Sequence, residues 1–313
     1  MKLEALRRFV NEKNIDFKEN ESLYSWTTFH CSSSAIMIIE PSSLSELSDL
    51  VIFFNKNQFI WKKDWDLLGN GSNVLFVDKG YKGVLVHLGH KAFSELSVQK
   101  ETNGTCLVKI GAGLLNGKLF QWAREKSLSG FEFAFGIPGS IGGGVRMNAG
   151  TPSGAFGNIL RNAECMNLEG GVEHIEVSRT DFLYRDFPKV HRKIVLSCTI
   201  ELRKSNSKTI NEHIESAKEK RRSQPLDLPN FGSVFKNPEG DYAGRMIEDC
   251  GLKGYRIGDA EISNRHANFI VNHGHALTAD VQSLINHAQH SVMQKFGVAL
   301  EPEVIVLGEH DAD

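Results

Sequence analysis

The segment FEFAFGIPGSIGGGVRMNAG, residues 131–150, is the most informative stretch of this 313-residue chain. Its glycines recur at close spacing among the apolar residues Ile137, Ile141 and Val145, a mixture that fits poorly with a flexible surface loop. Glycine lets a backbone adopt positive φ and approach a neighbour closely, at a cost in chain entropy. Its backbone N–H groups can then bind an anion such as a phosphate. We therefore expect residues 135–158 to form an irregular loop that contacts a ligand.

A second glycine-rich segment, GNGSN at residues 69–73, lies between the apolar stretches WDLL and VLFVD. Its N–H groups and its asparagine and serine side chains can all contact a phosphate. Asn-Gly is also a strong β-hairpin signal, so a hairpin and an anion-binding loop both remain open. GNGSNV lacks the third glycine of the dinucleotide fingerprint, and GLLNGKL at residues 113–119 departs from the P-loop pattern. The sequence thus favours a site for a phosphate-bearing cofactor that is built neither on a dinucleotide fingerprint nor on a P-loop.

Composition argues against several classes of function. The net charge is −2, which disfavours nonspecific binding of nucleic acid. No apolar run approaches the roughly 20 residues of a membrane span. Five scattered cysteines without a CxxC pair disfavour disulfides and cysteine-based zinc sites and favour a reducing compartment. His287 and His290 have the spacing of a metal pair, but no carboxylate-rich motif accompanies them, so we expect surface positions and no metal.

Periodicity predicts a mixture of helices and strands. Capping-box patterns predict helices from Ser43 and from Thr209. Apolar spacing predicts a helix over residues 114–130, stopped by Gly130, and a long helix over residues 278–296. The strand-like segments are WDLL, VLFVD, GVLVHL, CLVKIG, GVEHIEV, KIVLSCTIEL and HANFIVN. Because strands and helices do not alternate strictly, the predicted fold class is α+β rather than a doubly wound sheet.

Candidate catalytic side chains lie in the second half of the chain. Ser233, in GSVFKNP, lacks the second glycine of a nucleophile elbow, so from spacing alone a plain hydroxyl is favoured. Arg185, in LYRD, can clamp a carboxylate or pair with a neighbouring aspartate on the surface. Glu301 and Glu303 precede the apolar run VIVL, where strand alternation would turn one of them inward.

Taken in order, these segments resemble those of the UDP-N-acetylenolpyruvoylglucosamine reductase family, FAD-dependent enzymes of peptidoglycan-precursor synthesis. The matching pieces are GNGSNVL (69–75), GAG with the following helix (111–130), FEFAFGIPGSIGGGVRMNAG (131–150), LYRD (183–186), RRSQPLDLPNFGSVFKNP (221–238), AGRMIEDCGLKGYRIGDAEISNRHANFIVN (243–272) and LEPEVIVLG (300–308). No single piece is decisive, but the ordered set is highly specific. No long insertion follows LYRD, so the chain resembles the shorter, type II form.

The resemblance implies an FAD-binding fold of the vanillyl-alcohol-oxidase type. Two α+β subdomains, residues 1–90 and 91–206, would grip FAD, and a C-terminal α+β domain, residues 207–313, would bind substrate, with its last residues packing back on the first subdomain. Noncovalent FAD is expected because GNGSNVL contains neither histidine nor cysteine. The residues implied to hold it are Gly69, Asn70, Gly71, Ser72, Asn73, Val74, Gly136, Pro138, Gly139, Ser140, Ile141, Gly142, Gly143, Asn148, Ala149 and Gly150.

The resemblance also implies the reaction, in which NADPH reduces FAD and the reduced flavin converts UDP-N-acetylglucosamine enolpyruvate into UDP-N-acetylmuramate. Arg185 matches the arginine that binds the substrate carboxylate, Ser233 matches the proton donor, and Glu303 matches the glutamate of the L-x-x-E-V ending. The residues expected to bind substrate are Tyr184, Asn237 and Arg221. The expected partner is a small nucleotide-sugar, with no nucleic acid and no membrane span, for a monomeric cytoplasmic enzyme.

Three positions depart from the family pattern. Ser32 and Ser33 replace the usual Gly-Gly pair; if that turn requires positive φ, the serines are strained, and otherwise the loop takes another course. Phe231 replaces a usually small residue, which would narrow the pocket, and Ile305 replaces a usually basic one. The alternatives are another flavin oxidase or dehydrogenase on the same fold, and a noncatalytic nucleotide-sugar or flavin sensor.

Overall fold

The computed structural model describes residues 2–308. Within this part, the chain forms two compact units: unit 1 comprises residues 2–18, 38–69 and 85–220, and unit 2 comprises residues 19–37, 70–84 and 221–308. The α-helices are α1 (Lys2–Glu12), α2 (Leu44–Lys56), α3 (Asn116–Glu125), α4 (Ile141–Arg146), α5 (Phe156–Ile159), α6 (Ser207–Lys220), α7 (Ala243–Asp249) and α8 (Thr278–Phe296).

The strands are β1 (Asp16–Ser22), β2 (Ser34–Glu40), β3 (Trp65–Leu68), β4 (Val74–Phe76), β5 (Tyr81–His87), β6 (Leu96–Glu101), β7 (Thr105–Gly111), β8 (Leu128–Ser129), β9 (Gly150–Thr151), β10 (Gly154–Ala155), β11 (Leu160–Met166), β12 (Val172–Glu176), β13 (Ile194–Lys204), β14 (Asn230–Ser233), β15 (Arg256–Ile257), β16 (Ala260–Ile262), β17 (Phe269–Asn272) and β18 (Ile305–Leu307). One four-stranded sheet has the order β1-β2-β5-β3.

Unit 1 is built on an antiparallel sheet with the strand order β12-β11-β13-β7-β6, to which β8 adds by pairing with β13. β13 is long because IVLSCTIEL is rich in β-branched and apolar residues, which pack well on a pleated surface. Its register with β7 places Cys198 opposite Ile110 and Ile200 opposite Val108. All four residues are buried, so this face of the sheet forms the core of the unit.

Three phenylalanines support the glycine-rich segment on this core. The rings of Phe131, Phe133 and Phe156 pack edge to face with centroids 5.3, 5.6 and 6.0 Å apart, the arrangement that aromatic quadrupoles favour. α4 lies against them so closely that a Cβ on Gly144 would be 2.4 Å from Phe156 Cε2. Glycine at position 144 is therefore required by packing within the protein.

Unit 2 contains the antiparallel sheet β14-β17-β16-β15 and the parallel pair of β4 with β18. The helix α8 buries an apolar stripe that consists of Val281, Leu284, Ile285, Ala288 and Val292. Gly297 ends this helix in the left-handed conformation, with φ = 68°, and donates its N–H to Met293 O, as glycine C-caps do.

Most of the predicted elements are confirmed. Helix α2 begins after Ser43, whose Oγ accepts the N–H of Glu46 at 3.2 Å, and α8 spans the predicted residues 278–296. All seven strand-like segments carry strands, which are β3, β4, β5, β7, β12, β13 and β17. The α+β class is confirmed as well. In the described part of the chain, no helix is long and apolar enough to cross a membrane.

The predictions for the two glycine-rich segments need correction. Residues 135–158 are not an irregular loop, because they contain α4, β9, β10 and α5; their low helix propensity is overridden by packing against the phenylalanine cluster. The hairpin alternative for residues 69–73 is also wrong. β3 pairs with β5 whereas β4 pairs with β18, so the segment connects two different sheets.

Two helix ends also differ from prediction. Helix α3 ends at Glu125 rather than at Gly130, because Ser127 adopts a positive φ of 53° and the chain then enters β8. Helix α6 begins at Ser207 rather than Thr209. The side chain that caps it is Asn206, whose Oδ1 accepts the N–H of Thr209 at 2.9 Å, so a capping residue three positions earlier starts the helix.

Candidate functional site

In unit 1, the glycine-rich segment forms the start of α4. Ser140 is the N-cap, with its Oγ 3.4 Å from the N–H of Gly143. Ile141 and Gly142 donate their N–H groups, both at 2.8 Å, to carbonyl oxygens of residues 112–114. The sequence analysis names both residues as cofactor contacts, but these two N–H groups serve the protein's own backbone.

The glycines of α4 fall into two kinds. A Cβ on Gly142 would be 2.9 Å from Ala112 Cβ, so this glycine, like Gly144, is required by close packing. At the exposed Gly143, the nearest atom to a Cβ would be Ser140 Oγ at an ordinary 3.6 Å. The missing side chain at Gly143 therefore leaves open space on the outer side of the first turn. These residues fit a cofactor that lies against that side.

Asn148 connects this segment to the LYRD turn. Its Oδ1 accepts the N–H of Gly157 at 2.9 Å, and its Nδ2 donates to Leu183 O at 2.9 Å. The neighbouring Ala149 donates its N–H to a carbonyl of α4, and Gly150 is buried in β9. Asn148 thus links the predicted cofactor segment to the predicted carboxylate-binding turn.

The other predicted cofactor residues of unit 1 lie near the same cap. A Cβ on Gly69 would be 2.8 Å from Ser140 Oγ, which places the first residue of GNGSN beside the start of α4. Gly136 and Gly139 have φ values of 69° and 129°, which favour glycine. Pro138, between them, is exposed. The structure thus brings these predicted residues together within one unit.

Tyr184 and Arg185 occupy the tip of a tight turn in unit 1. Leu183 and Asp186 exchange backbone hydrogen bonds of 3.0 and 3.3 Å across it. Arg185 adopts a φ of 60°, a sparsely populated conformation for a residue with a long side chain. Its guanidinium carbon lies 5.1 Å from the centre of the half-exposed Tyr184 ring. The turn therefore presents a cation beside an aromatic ring, an arrangement suited to a carboxylate.

Asp186 fixes this turn through two residues that no sequence motif marks, Arg146 and His191. Its carboxylate accepts from Arg146 at 2.6 Å and from His191 at 2.7 Å. Burial alone would raise the pKa of Asp186, but the hydrogen bonds from His191 and Arg146 outweigh it and hold that pKa below its usual value. The only sequence signal for this role is that Asp186 directly follows Arg185.

In unit 2, the remainder of GNGSN is packed tightly on another loop. Gly71 has φ = 59°, and a Cβ there would be 2.0 Å from Trp26 O, so no other residue fits. The Gly71 carbonyl also accepts the N–H of Thr28 at 3.1 Å. The half-buried members of this segment are Asn70, Ser72, Asn73 and Val74.

Ser233 and Glu303 lie on neighbouring segments of unit 2. Ser233 ends β14, and the carbonyl of the next residue, Val234, accepts the N–H of Glu303 at 2.7 Å. The Glu303 carbonyl accepts from Asn73 Nδ2 at 3.0 Å, and Asn73 O accepts the N–H of Ile305 at 3.1 Å. Asn73, predicted as a cofactor contact, thus also positions the segment that carries Glu303.

Exposure separates the two candidate glutamates. The Glu301 side chain is 68% exposed and pairs with Lys236, whereas Glu303 is half-buried. One of the two is therefore more buried, as expected, but not through strand alternation, because both precede β18 and residues two apart in a strand face the same side.

Two predicted substrate residues have local partners in unit 2. Asn237 Oδ1 accepts the N–H of Ala243 at 3.1 Å, at the start of α7. Arg221 is half-buried, and its Nε donates to Gln224 Oε1 at 2.6 Å. Burial lowers the pKa of Arg221 to about 10, so the guanidinium remains a cation near neutral pH.

Phe231, one departure from the family pattern, packs on the loop that carries Ser32 and Ser33. Phe231 is buried and packs on the buried Phe29 with ring centroids 5.2 Å apart. The expected strain at Ser32 and Ser33 is wrong: the positive φ in this loop, 58°, falls on His30. Ser33 instead donates its Oγ–H to the carbonyl of residue 77 at 2.7 Å, so the loop takes a different course.

Histidines and cysteines contribute no metal-binding group in the described residues, which contain no cluster of three or more suitable side chains. His287 packs on the Tyr255 ring at 4.6 Å between centroids, and His290 is exposed. The five cysteines are free, and burial raises the pKa of Cys165 and Cys198 to about 12.

Two family models match the chain. The model described as "UDP-N-acetylenolpyruvoylglucosamine reductase, C-terminal domain" matches residues 224–307, and the model described as "FAD binding domain" matches residues 35–176. Together they contain most of the predicted site residues, on the two units described above. The C-terminal match includes Ser233, Asn237 and Glu303.

Curated relatives and a solved structure match nearly the whole chain. The UDP-N-acetylenolpyruvoylglucosamine reductase of Caldicellulosiruptor saccharolyticus is 37% identical over 97% of this chain and 96% of its own length. The enzyme of the same name from Moorella thermoacetica is 39% identical over 93% of each chain. The crystal structure of the UDP-N-acetylenolpyruvylglucosamine reductase from Thermus caldophilus has a TM-score of 0.76 at 30% identity, covering 94% of this chain and 98% of that chain.

Proposed function

The chain belongs to the UDP-N-acetylenolpyruvoylglucosamine reductase family, and from this premise we propose how its residues share the reaction. The protein is an FAD-dependent oxidoreductase with an FAD-binding fold of the vanillyl-alcohol-oxidase type. With NADPH as reductant, it converts UDP-N-acetylglucosamine enolpyruvate into UDP-N-acetylmuramate in peptidoglycan-precursor synthesis. A hydride and a proton add across the carbon–carbon double bond, and NADPH is oxidised to NADP⁺.

The two glycine-rich segments hold FAD. Bound FAD supplies the redox chemistry that passes a hydride from NADPH to the substrate. The packing at α4 supports this assignment, because Gly143 leaves its outer side open beside the Ser140 cap while Gly142 fixes the helix against residues 112–114. The flavin is noncovalent, since GNGSNVL offers no histidine or cysteine for attachment.

Arg185 binds the substrate carboxylate. Negative charge grows on this carboxylate as the double bond is reduced, so a positioned cation stabilises the transition state more than the ground state. A guanidinium can donate hydrogen bonds to both carboxylate oxygens at once. The Tyr184 ring, which lies beside the Arg185 guanidinium, restricts where that group can move. Losing such a donor commonly lowers the rate by about 10²–10³-fold.

Ser233 delivers the proton and Glu303 assists it. A hydroxyl is a weak acid, but it is adequate against a carbanion-like carbon at hydrogen-bond distance. Glu303 stabilises the developing enolate, either directly as a hydrogen-bond donor or through a water molecule. The observation that carries this assignment is the 2.7 Å hydrogen bond between Glu303 N–H and Val234 O, which joins the two segments directly beside Ser233.

The remaining assignments concern substrate and organisation. Asn237 and Arg221 bind the nucleotide-sugar, and the half-buried cation of Arg221 suits its phosphates. Residues 1–90 and 91–206 serve as the flavin subdomains, and residues 207–313 as the substrate domain. Because the reductant and the substrate are both water-soluble nucleotides, we place the enzyme in the cytoplasm. Among oligomeric states, a monomer is the one that we favour.

Product analysis tests the proposed function. The purified holoenzyme is incubated with NADPH and UDP-N-acetylglucosamine enolpyruvate, and the product is examined by mass spectrometry. We expect a product that is heavier than the substrate by two hydrogen atoms, formed in equal amount to NADP⁺. Oxidation of a sugar alcohol without NADPH would favour the flavin oxidase, and binding without turnover would favour the sensor.

A further inference from the structure

We propose that Asn268, a buried residue directly before β17, is a positioning residue for Ser233. The inference rests on the proposed function, because it concerns the group that delivers the proton. Asn268 is 4% exposed, so its polar side chain requires hydrogen-bond partners within the protein. It finds them in the backbone of the segment that follows Ser233.

The Asn268 carboxamide acts as a short piece of strand. Its Oδ1 accepts the N–H of Phe235 at 2.9 Å, and its Nδ2 donates to Phe235 O at 2.9 Å. Its own backbone carbonyl accepts the N–H of Val234 at 2.9 Å. Paired N–H and C=O bonds of this kind are what a neighbouring strand supplies in an antiparallel ladder. One residue therefore holds two consecutive residues after Ser233.

The backbone at Ser233 needs this support because its own strand is irregular there. The register of β14 on β17 shifts between Asn230 and Ser233, which marks a bulge that re-aims side chains. Gly232, inside the shift, has φ = 84°, and nothing lies within 4 Å of the position of a Cβ. Gly232 thus offers no side-chain packing, although its N–H donates to Asn230 Oδ1 at 2.9 Å and Ser233 itself pairs with Phe269. The bonds from Asn268 add the restraint on the C-terminal side of the serine.

The same contacts fix Ser233 relative to Glu303. Because Asn268 holds Phe235, the neighbouring Val234 carbonyl is positioned to accept the N–H of Glu303. Phe235 itself forms an isolated antiparallel β-bridge with Pro302. Phe235 is 2% exposed. If the Asn268 carboxamide were removed, no water could replace its hydrogen bonds to the Phe235 N–H and C=O. The segment would shift to recover those bonds, and Ser233 would move with it.

The test compares Asn268→Leu with a matched control, Thr278→Val, in the FAD-loaded enzyme. Thr278 is also a buried polar residue of unit 2; its Oγ donates to Phe76 O at 2.6 Å, and it does not contact the Ser233 segment. Hydrogen exchange by mass spectrometry follows the peptide that contains Phe235. Stopped-flow absorbance follows flavin reduction by NADPH and flavin reoxidation by the enolpyruvyl substrate separately.

For Asn268→Leu we expect faster exchange in the Phe235 peptide and a reoxidation rate about 10–100-fold lower. Reduction by NADPH and the Kd of the enolpyruvyl substrate should change less than about twofold. For Thr278→Val we expect all four quantities, the exchange, the two rates and the Kd, to stay near wild type. If Asn268→Leu does not fold, Asn268→Asp serves, because it keeps the acceptor for the Phe235 N–H but opposes the Phe235 carbonyl with a carboxylate.

Outcomes of two kinds would overturn the inference. One is faster exchange at Phe235 with an unchanged reoxidation rate, since the serine would then be positioned by something else. The other is an equal loss in both half-reactions, or the same loss in Thr278→Val, since the effect would then be general destabilisation. Ser233→Ala separates this inference from the proposed function: if that variant reoxidises its flavin normally, the serine assignment itself fails, whatever Asn268 does.

Discussion

The Arg185 turn of unit 1 and the Ser233 segment of unit 2 fix their side chains by opposite means. The turn is held by polar contacts near the surface: the Asp186 carboxylate pairs with Arg146 and bonds to His191, whose side chains are 42% and 46% exposed. The serine segment is held by the neutral, buried carboxamide of Asn268. Exposed ion pairs are weak and depend on pH and salt, whereas buried amide hydrogen bonds depend on neither.

This difference matches what each segment does. The turn must receive an anionic carboxylate, so cations near it also favour binding and need only modest rigidity. Ser233 must place a proton on one carbon, for which an error of about 1 Å is costly. A buried and fully bonded backbone provides that precision at any pH at which the fold persists.

The largest effect is expected for Ser233→Ala. Removing the proton donor should lower kcat by about 10²–10⁴-fold, while reduction of the flavin by NADPH continues at the wild-type rate. Steady-state kinetics with the enolpyruvyl substrate measures the first, and stopped-flow absorbance the second. Ser263→Ala is the matched control, since Ser263 is a buried serine of the same unit. Equal activity of both variants would remove Ser233 from the mechanism.

Arg185→Lys tests the Arg185 turn of unit 1. Lysine keeps the charge but loses the planar fork and is less suited to the left-handed turn, so we expect kcat/KM for the enolpyruvyl substrate to fall by about 10²-fold. Arg192 also has a positive φ, 56°, and is exposed; Arg192→Lys should leave kcat/KM near wild type. If the two variants behave alike, Arg185 does not bind the carboxylate.

Within unit 1, two glycines of α4 separate the effect of packing, at Gly144, from the effect of ligand binding, at Gly143. Gly144→Ala should destabilise the protein by about 1–3 kcal/mol, because the new methyl group overlaps Phe156. Gly143→Ala should leave the FAD-free protein as stable as wild type or more so, by up to about 1 kcal/mol, yet raise the Kd for FAD at least tenfold. Thermal unfolding of both proteins and FAD titration measure these effects. An unchanged Kd in Gly143→Ala would contradict the proposed flavin position.

The smallest effect is expected for Asp186→Asn. A carboxyl with a lowered folded-state pKa stabilises the fold above its unfolded pKa, and this contribution is lost as pH falls through the folded pKa. The variant should therefore be less stable than wild type at pH 7, by no more than about 1 kcal/mol. The difference should shrink as the pH falls below the ordinary aspartate pKa of about 4 and vanish once the folded carboxyl is protonated, because both proteins then carry a neutral side chain.

Asn268→Leu provides the contrast for this pH series. Its destabilisation involves no titrating group, so denaturant unfolding should show the same difference from wild type at pH 7 and at acidic pH. A pH-independent effect of Asp186→Asn, or a pH-dependent effect of Asn268→Leu, would break the distinction between the charged and the neutral support.

The predictability of the fold depended on whether a segment has a periodic pattern. Helix α8 was predictable to the residue, since its apolar stripe has the helical period and Gly297 marks its end. Helix α4 was not, because IGGGVR has poor helix propensity and becomes helical through contacts with Ala112 and Phe156, which are distant in sequence. The hairpin alternative for residues 69–73 was wrong for the same reason, since β3 pairs with β5 and β4 pairs with β18 rather than with each other.

The candidate site was predictable where a residue is part of a recognisable motif. Ser233, Arg185 and Glu303 are named by the family resemblance, although their roles remain proposals. The supporting residues give no such signal: Asn268 is a single polar residue in HANFIVN, and its two bonds to Phe235 exist only in the folded chain. The left-handed φ of Arg185 is likewise invisible in sequence, because nothing but the surrounding turn imposes it.

The most direct test of the account is an anaerobic single-turnover experiment on wild-type protein and Ser233→Ala. NADPH is added to each FAD-loaded protein, its excess is removed, and the enolpyruvyl substrate follows while the flavin absorbance is recorded. We expect NADPH to bleach both proteins at the same rate, and the substrate to restore the colour of the wild type alone on the millisecond-to-second scale. Recovery of colour in Ser233→Ala at the wild-type rate, or no recovery in the wild type, would contradict this expectation.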